Sequence, residues 1–227
     1  MPIDLISTGP VYAAGSLLLV HGAGFDSRSP FMQAMAVGLA KLNWQIHRFD
    51  FPYMARRRLT GQKTLPDRHE VLLKAFKEAV DQVDQDLPLV IGGKSMGGRI
   101  ASLLLDDLYA SSAVAAGVCL GYPFHPLGKP AQLRTQHLID LSAPCLIVQG
   151  ERDAMGRLDE VEGYPLSSAV TLQWIPDGDH SFSPRKRSGR TEDQNLSLAV
   201  QHVHSFLTSV CCRGSPEDVT LLYFSIA

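Results

Sequence analysis

The chain has 227 residues, 45% of them hydrophobic and 19% charged, with 19 Gly, 14 Pro and a formal net charge of -2. These proportions are those of a globular protein, and they exclude a disordered, collagen-like or strongly basic, nucleosome-type chain. At this length one core can grow without splitting, so residues 1–210 are expected to form one α/β domain, followed by a tail over 211–227.

Short apolar runs that end in Gly or Pro alternate with longer stretches of helical period, the pattern of a mostly parallel sheet covered on both faces. The sequence predicts six strands: SLLLV (16–20), QIHRFDF (45–51), LPLVIGG (87–93), AAGVCLG (115–121), PCLIVQG (144–150) and TLQWIP (171–176). A first helix opens at Ser29 and Pro30 and carries Met32, Met35, Ala36 and Leu39 on one face. A second runs from about Pro66 with Leu72, Phe76, Ala79, Val80 and Val83 on its buried stripe. A third starts near Met96 and buries Ile100, Leu103, Leu104 and Leu108. The last begins at Thr191, whose capping box with Gln194 precedes Leu196, Ala199, Val200, Val203, Phe206 and Leu207. The tail after Val210 is a compositional break, and its VTLLYF reads either as an added edge strand or as a disordered end.

The four Cys, at 119, 145, 211 and 212, lack metal-ligand spacing, and Cys119 and Cys145 sit inside apolar runs where a reduced thiol packs as a small hydrophobe. The first residues show neither a basic n-region nor a cleavage-type apolar segment, and no uncharged apolar stretch approaches the roughly 18 residues of a membrane span. The expectation is a soluble, cytoplasmic protein that needs no metal and no cofactor.

Chemistry concentrates in LPLVIGGKSMGGR (87–99), an apolar strand that passes through Gly93-Lys94-Ser95-Met96-Gly97 straight into an amphipathic helix. A G-x-S-x-G in this setting reads as a nucleophile elbow, with Ser95 held at the sheet's carboxyl edge. Gly93 and Gly97 let the backbone pass closely in that turn. Lys94, on the strand, should point away from Ser95, which argues against a Ser-Lys mechanism.

A serine hydroxyl is a weak nucleophile at neutral pH, so it requires a base, an acid that orients the base, and donors for an oxyanion. Among eight His, only His180 follows a strand in a Gly- and Asp-containing loop before the last helix. Asp153, just past the preceding strand, is the acid; Glu151, Asp177 and Asp179 are its rivals, and Asp179 is too close in sequence to reach the ring. The chain order Ser95, Asp153, His180 is that of an α/β-hydrolase. The first strand ends in His21-Gly22-Ala23-Gly24, whose small residues allow a backbone N–H to face the same pocket. The N–H groups of Ala23 and Met96 are the expected oxyanion hole, with Gly24 the alternative to Ala23.

On these residues the sequence resembles an α/β-hydrolase from 16 to about 210. The forms GGKSMGGR, GYPFHPLGKP (121–130) and DGDHSFSPRKRSGRT (177–191) are similar to a branch of small bacterial hydrolases. That branch also contains testis-expressed relatives and the hydrolase-like domain of a subunit of the animal non-specific-lethal chromatin complex. The resemblance implies a sheet of six or more strands and a triad of Ser95, Asp153 and His180, and no particular substrate. About fifteen residues precede the first clear strand, so the usual leading hairpin is expected to be missing or reduced. Only Tyr122 to Ala143 separate two strands where many lipases insert a cap, so no large cap is expected and the site should be open.

Arg56, Arg57, Arg58, Lys63 and Arg68 follow the second predicted strand, and Arg185, Lys186, Arg187 and Arg190 follow His180, together nine of the 21 Lys and Arg. Both segments leave carboxyl ends of strands. They read either as solvated loops or as a positive rim, with Arg57, Arg58, Arg185 and Arg187 as candidate binders of an anionic substrate. A net-acidic chain without a reading helix or aromatic platform is not expected to bind nucleic acid. The functional expectation is a serine hydrolase acting on esters or thioesters of a small acyl substrate. The alternatives are a non-catalytic scaffold on the same fold, or peptidase or acyltransferase chemistry at the same serine.

Overall fold

The computed structural model describes residues 3–84 and 86–212. Its centre is one sheet of seven strands: β1 (Ile6–Thr8), β2 (Ser16–Val20), β3 (Gln45–Arg48), β4 (Leu89–Lys94), β5 (Ala116–Leu120), β6 (Cys145–Gly150) and β7 (Val170–Ile175). The spatial order is β1-β3-β2-β4-β5-β6-β7. Every pairing is parallel except that of β1 with β3. All six predicted strands are present, and β1 is the addition. Three residues, Ile-Ser-Thr, are too few to show a period of two, and β1 stands where a reduced leading hairpin was expected.

The helices are α1 (Pro30–Ala40), α2 (Pro52–Thr60), α3 (His69–Val80), α4 (Met96–Ala110), the short α5 (Gln136–Ile139) and α6 (Leu158–Val161), and α7 (Glu192–Cys211). They cover both faces of the sheet. Along β2 the side chains alternate: Leu18 and Val20 enter a core built with Phe76 of α3 and Ile100 of α4, while Leu17 and Leu19 enter one built with Met35 of α1 and Val203 of α7. Both faces are therefore apolar, which is why β2 reads as an uninterrupted hydrophobic run. The capping box of α7 forms as expected, Thr191 Oγ1 accepting from the Gln194 N–H at 3.2 Å and Gln194 Oε1 from the Thr191 N–H at 3.0 Å.

Three boundaries depart from expectation. The segment carrying Arg56, Arg57 and Arg58 is the helix α2 rather than a loop, started by Pro52 and ended by Gly61 at φ 70°. Only Tyr53 and Met54 of its nine residues are buried, too few for a visible stripe, although a Pro at the start and a Gly just past the end were the available signal. Helix α3 begins at His69 rather than near Pro66, because Arg68 is still extended at ψ 154°. Strand β3 ends at Arg48 because the next residues bond elsewhere: the Phe51 N–H donates to His21 Nε2 at 3.0 Å. Among the described residues no helix is long and apolar enough to cross a membrane. The VTLLYF segment (219–224) of the tail lies outside the described residues.

Candidate active site

The chain reverses its direction of growth across the sheet between β2 and β4, and the crevice beyond the carboxyl ends of neighbouring strands at such a point is where open α/β sheets hold their sites. Ser95 follows β4 there in a strained conformation, φ 52° and ψ -117°. The surrounding glycines hold it so. A Cβ on Gly93 would lie 2.4 Å from the Gly97 carbonyl carbon, and one on Gly97 would lie 2.6 Å from the carbonyl oxygens of Val20 and His21. Helix α4 therefore starts in contact with β2 and β4, and Ser95 is presented above the sheet edge.

Two further loops deliver the other side chains. Asp153 follows β6 and is fully buried; its Oδ2 lies 2.7 Å from His180 Nδ1, and His180 Nε2 lies 2.8 Å from Ser95 Oγ. A carboxylate only accepts, so His180 carries its proton on Nδ1 and leaves Nε2 to accept from the Ser95 hydroxyl. Asp153 also accepts from Gln149 Nε2 at 2.9 Å and, through Oδ1, from the Met155 N–H at 2.9 Å. These bonds fix the carboxylate in one rotamer facing the ring.

The loop expected to form the oxyanion hole is set by carbonyls that point elsewhere. Because Phe51 donates to His21 Nε2, His21 must donate from Nδ1, and it does so to the Gly22 carbonyl at 2.6 Å. Tyr53 Oη donates to the same carbonyl at 3.4 Å and to that of Ala23 at 3.1 Å. In a trans peptide the N–H opposes the C=O, so the N–H groups of Ala23 and Gly24 turn away from Tyr53. A Cβ on Gly22 would lie 3.3 Å from that of Ser95, which brings this loop against the nucleophile turn. The N–H groups of Ala23 and Met96 have no acceptor among the described residues, whereas the Ser95 N–H is used by the Leu120 carbonyl at 3.0 Å.

Against this geometry, the model of an α/β hydrolase domain family matches residues 13–208. The chain belongs to the α/β-hydrolase family. Among solved structures it is similar to a dienelactone hydrolase from Anabaena variabilis, at 22% identity over 92% of each chain with a TM-score of 0.67. It is likewise similar to Est1E of Butyrivibrio proteoclasticus with ferulic acid bound, at 16% identity over 93% of this chain and 96% of that one, TM-score 0.66. A serine hydrolase without lid from Xanthomonas campestris matches at 17% identity over 94% of this chain and 91% of that one, TM-score 0.66. A comparison with curated protein sequences returned no significant match. The layout is that of an α/β hydrolase with no large cap: only the short α5 interrupts the passage from β5 to β6. A serine in hydrogen-bond contact with a histidine at the elbow of this fold makes the chain a serine hydrolase.

The rival carboxylates are occupied elsewhere. Glu151 accepts from the Asp177 N–H at 2.7 Å, and Asp179 accepts from the Ser181 and Ser183 N–H groups at 2.8 and 3.0 Å. Asp177 pairs with Arg185 and Arg152, and the hydrogen bonds from Arg185 hold its carboxyl down to about 2. A second serine–histidine contact joins Ser102 Oγ to His137 Nε2 at 2.8 Å. Ser102 donates its proton to the Arg99 carbonyl at 2.9 Å, so His137 donates to it rather than accepting. This pair ties α4 to α5 and lacks the polarity of a nucleophile and its base.

Three residues of the site's frame, Gln149, Asn195 and Tyr53, are not singled out by the sequence, and a fourth, Lys94, is placed by it only as pointing away from Ser95. Gln149 and Asn195 are fully buried polar residues; Gln149 holds Asp153, while Asn195 donates to the carbonyls of Phe182 and Pro176 at 2.7 and 3.1 Å and so pins the loop of His180. A Gln inside the apolar run of β6 was a usable signal. Tyr53 lies on a helix that was not foreseen. Lys94 does point away from Ser95, but its ammonium is buried under the base, donating to the His180 carbonyl at 2.6 Å and lying 5.5 Å from the centre of the Phe31 ring.

The basic candidates divide. Arg58 binds Asp50 at 2.6 Å, and Arg185 is paired with Asp177. Arg57, half-buried on α2, and Arg187, exposed in a short 3-10 turn, form no ion pair among the described residues. Two of the four thus have their charge balanced within the fold.

Proposed function

We propose that the protein hydrolyses carboxylic ester or thioester bonds of a small acyl substrate through a covalent acyl-enzyme. His180 takes the proton of Ser95 as Oγ attacks the acyl carbon, and the carbonyl oxygen, now negative, is held by the N–H groups of Met96 and Ala23. Collapse of this intermediate breaks the bond to the leaving alkoxide or thiolate, which takes the proton from His180. Water then attacks the acyl-enzyme, giving its proton to the same ring, and Ser95 leaves with that proton restored. Asp153 stays ionised, orienting the ring and balancing its charge.

The observation that carries this reading is the unbroken chain from Asp153 through His180 to Ser95, at 2.7 and 2.8 Å. It supports catalysis over a scaffold role like the one the resemblance to the chromatin-complex subunit would allow. The similarity to a dienelactone hydrolase and to Est1E with ferulic acid bound supports a small ester. An open site supports soluble, short-acyl substrates over a lipid interface. Residues 1–210 act in this reading as one hydrolase domain. Cys119 and Cys145, free and buried side by side on β5 and β6, support a reducing, cytoplasmic setting. Of the four candidate binders in the basic rim, Arg57 and Arg187 keep charge to spare for an acidic substrate.

Fluorophosphonate labelling followed by a panel of acyl esters tests the reading. Labelling at Ser95, its loss in Ser95→Ala and saturable turnover of short esters are expected. Equal labelling of Ser95→Ala, or a reactive serine that turns over no ester or thioester, would overturn it.

A further inference from the structure

Between the first turns of α3 and α4 and the loop entering α5 lies a group of basic side chains that the reaction does not use. Arg99 is in the first turn of α4, its N–H bonded to the Ser95 carbonyl at 3.0 Å. Helical side chains lean toward the N-terminus, so the guanidinium is aimed at the edge that holds the nucleophile. Among the described residues it makes no hydrogen bond or ion pair, and its Nε is buried without a partner. His69, the first residue of α3, likewise has a buried Nε2 with no partner. Arg134 is fixed by its backbone, its N–H donating to Phe124 at 2.7 Å and its carbonyl accepting from the buried Tyr122 hydroxyl at 2.8 Å.

We propose that Arg99, Arg134 and His69 form a binding site for a carboxylate carried by the substrate. This rests on the hydrolase reading and names its substrate class. A guanidinium presents a planar fork that matches a carboxylate, and a buried donor left without an acceptor is costly unless something completes it.

The electrostatics of the group agree. Arg99 faces His69, Arg134 and His137; the basicity of each is lowered, first by burial and then by Arg99. The acids nearby are Glu70 beside His69 and Asp106 beside His137. Asp106 is engaged by the Ser142 and Ala143 N–H groups at 3.0 and 2.9 Å. Two guanidinium groups thus repel each other in a half-buried place where no carboxylate among the described residues binds them, an arrangement that an incoming anion relieves. The rim residues Arg58 and Arg185, by contrast, already have carboxylates.

The test compares the mono-para-nitrophenyl ester of glutaric acid with para-nitrophenyl pentanoate, its neutral counterpart, in wild type, Arg99→Gln, Arg99→Lys and Arg134→Gln. The wild type should prefer the carboxylate ester in kcat/KM. Arg99→Gln should cut that preference roughly 10- to 100-fold, mostly through KM, and Arg99→Lys should keep part of it. The melting temperature of Arg99→Gln should match or exceed that of wild type, because an unpaired buried donor is removed. Glutarate itself should bind Ser95→Ala in calorimetry and lose most of its affinity when Arg99→Gln is added.

Equal losses on both esters, no loss on either, or no wild-type preference would overturn the site. Turnover of the neutral ester without glutarate binding fails the anion site and leaves the hydrolase reading intact. Arg99-dependent glutarate binding without turnover of either ester fails the hydrolase reading and leaves the anion site standing.

Discussion

Lys94 Nζ donates to the main-chain carbonyl of His180 at 2.6 Å, so the residue before the proposed nucleophile holds the residue proposed as the base. The two loops whose side chains must meet are thereby joined beneath the site, and the ammonium lies in the field of Asp153 and Asp179. Burial nevertheless outweighs those carboxylates and brings Lys94 down to about 8.

That depression has a sign. The unfolded chain holds the lysine proton more tightly than the folded one, so the protonated form disfavours folding. The penalty is complete below about pH 8 and is relieved as pH rises toward the unfolded value of about 10.5, an effect of up to about 3 kcal/mol. Wild type should therefore gain about 1–3 kcal/mol over Lys94→Met between about pH 7 and pH 10, read from denaturant midpoints. At neutral pH Lys94→Met should lose tenfold or more in kcat as the His180 loop loosens. A constant stability difference across this range would mean that Lys94 is solvated.

Tyr53→Phe removes the hydroxyl that holds the Gly22 and Ala23 carbonyls while keeping the buried ring. With His21 still gripping Gly22, the oxyanion peptide should be loosened rather than lost. The expected result is a fall in kcat of about tenfold, less than the roughly 100-fold for deleting a donor outright. KM and fluorophosphonate labelling at Ser95 should change little, and stability should fall by about 1 kcal/mol. A change confined to KM would place Tyr53 in substrate contact instead.

Asp153→Asn should lower kcat by on the order of 10⁴-fold, since an amide at that position can present its N–H to His180 Nδ1 and favour the wrong tautomer. Asp177→Asn should spare most activity and act on stability, because its partners are Arg185 and Arg152. Steady-state kinetics of the two variants, with Glu151→Gln as a control, decide the assignment. A dead Asp177→Asn beside an active Asp153→Asn would reverse it.

Arg58→Gln and Arg57→Gln should differ although the residues are neighbours. Arg58 neutralises Asp50, which is buried and also accepts from the Ser27 N–H at 2.8 Å, so its loss leaves a carboxylate underpaired and should cost about 1–3 kcal/mol. Arg57→Gln, which breaks no ion pair among the described residues, should be near neutral for stability and should weaken only the salt-sensitive part of the preference for an anionic ester, since charges in contact with solvent are screened over about 8 Å at physiological salt. Melting curves and kcat/KM at low and high salt separate these effects.

Much of this protein was legible in its sequence, because the signals involved are local. A strand buried on both faces needs a continuous apolar run, so LVIGG and CLIVQG read as β4 and β6. A nucleophile elbow needs small residues flanking the serine within a few positions, so Ser95 stands out in the sequence as the proposed nucleophile. Chain order then pointed to Asp153 and His180, since each loop leaves the carboxyl end of a recognisable strand. What the tertiary structure decided is pairwise and distant. Lys94 and His180 are 86 residues apart, and nothing in either segment records which carbonyl the ammonium reaches. The same holds for charge: nine basic residues in two segments read either as solvated loops or as one rim, and in the fold Arg58 and Arg185 meet carboxylates. Arg99, unremarkable on the first turn of α4, is left with none among the described residues. Composition records how many charges a chain has; which of them remain unpaired at the site depends on where the backbone brings their counter-ions.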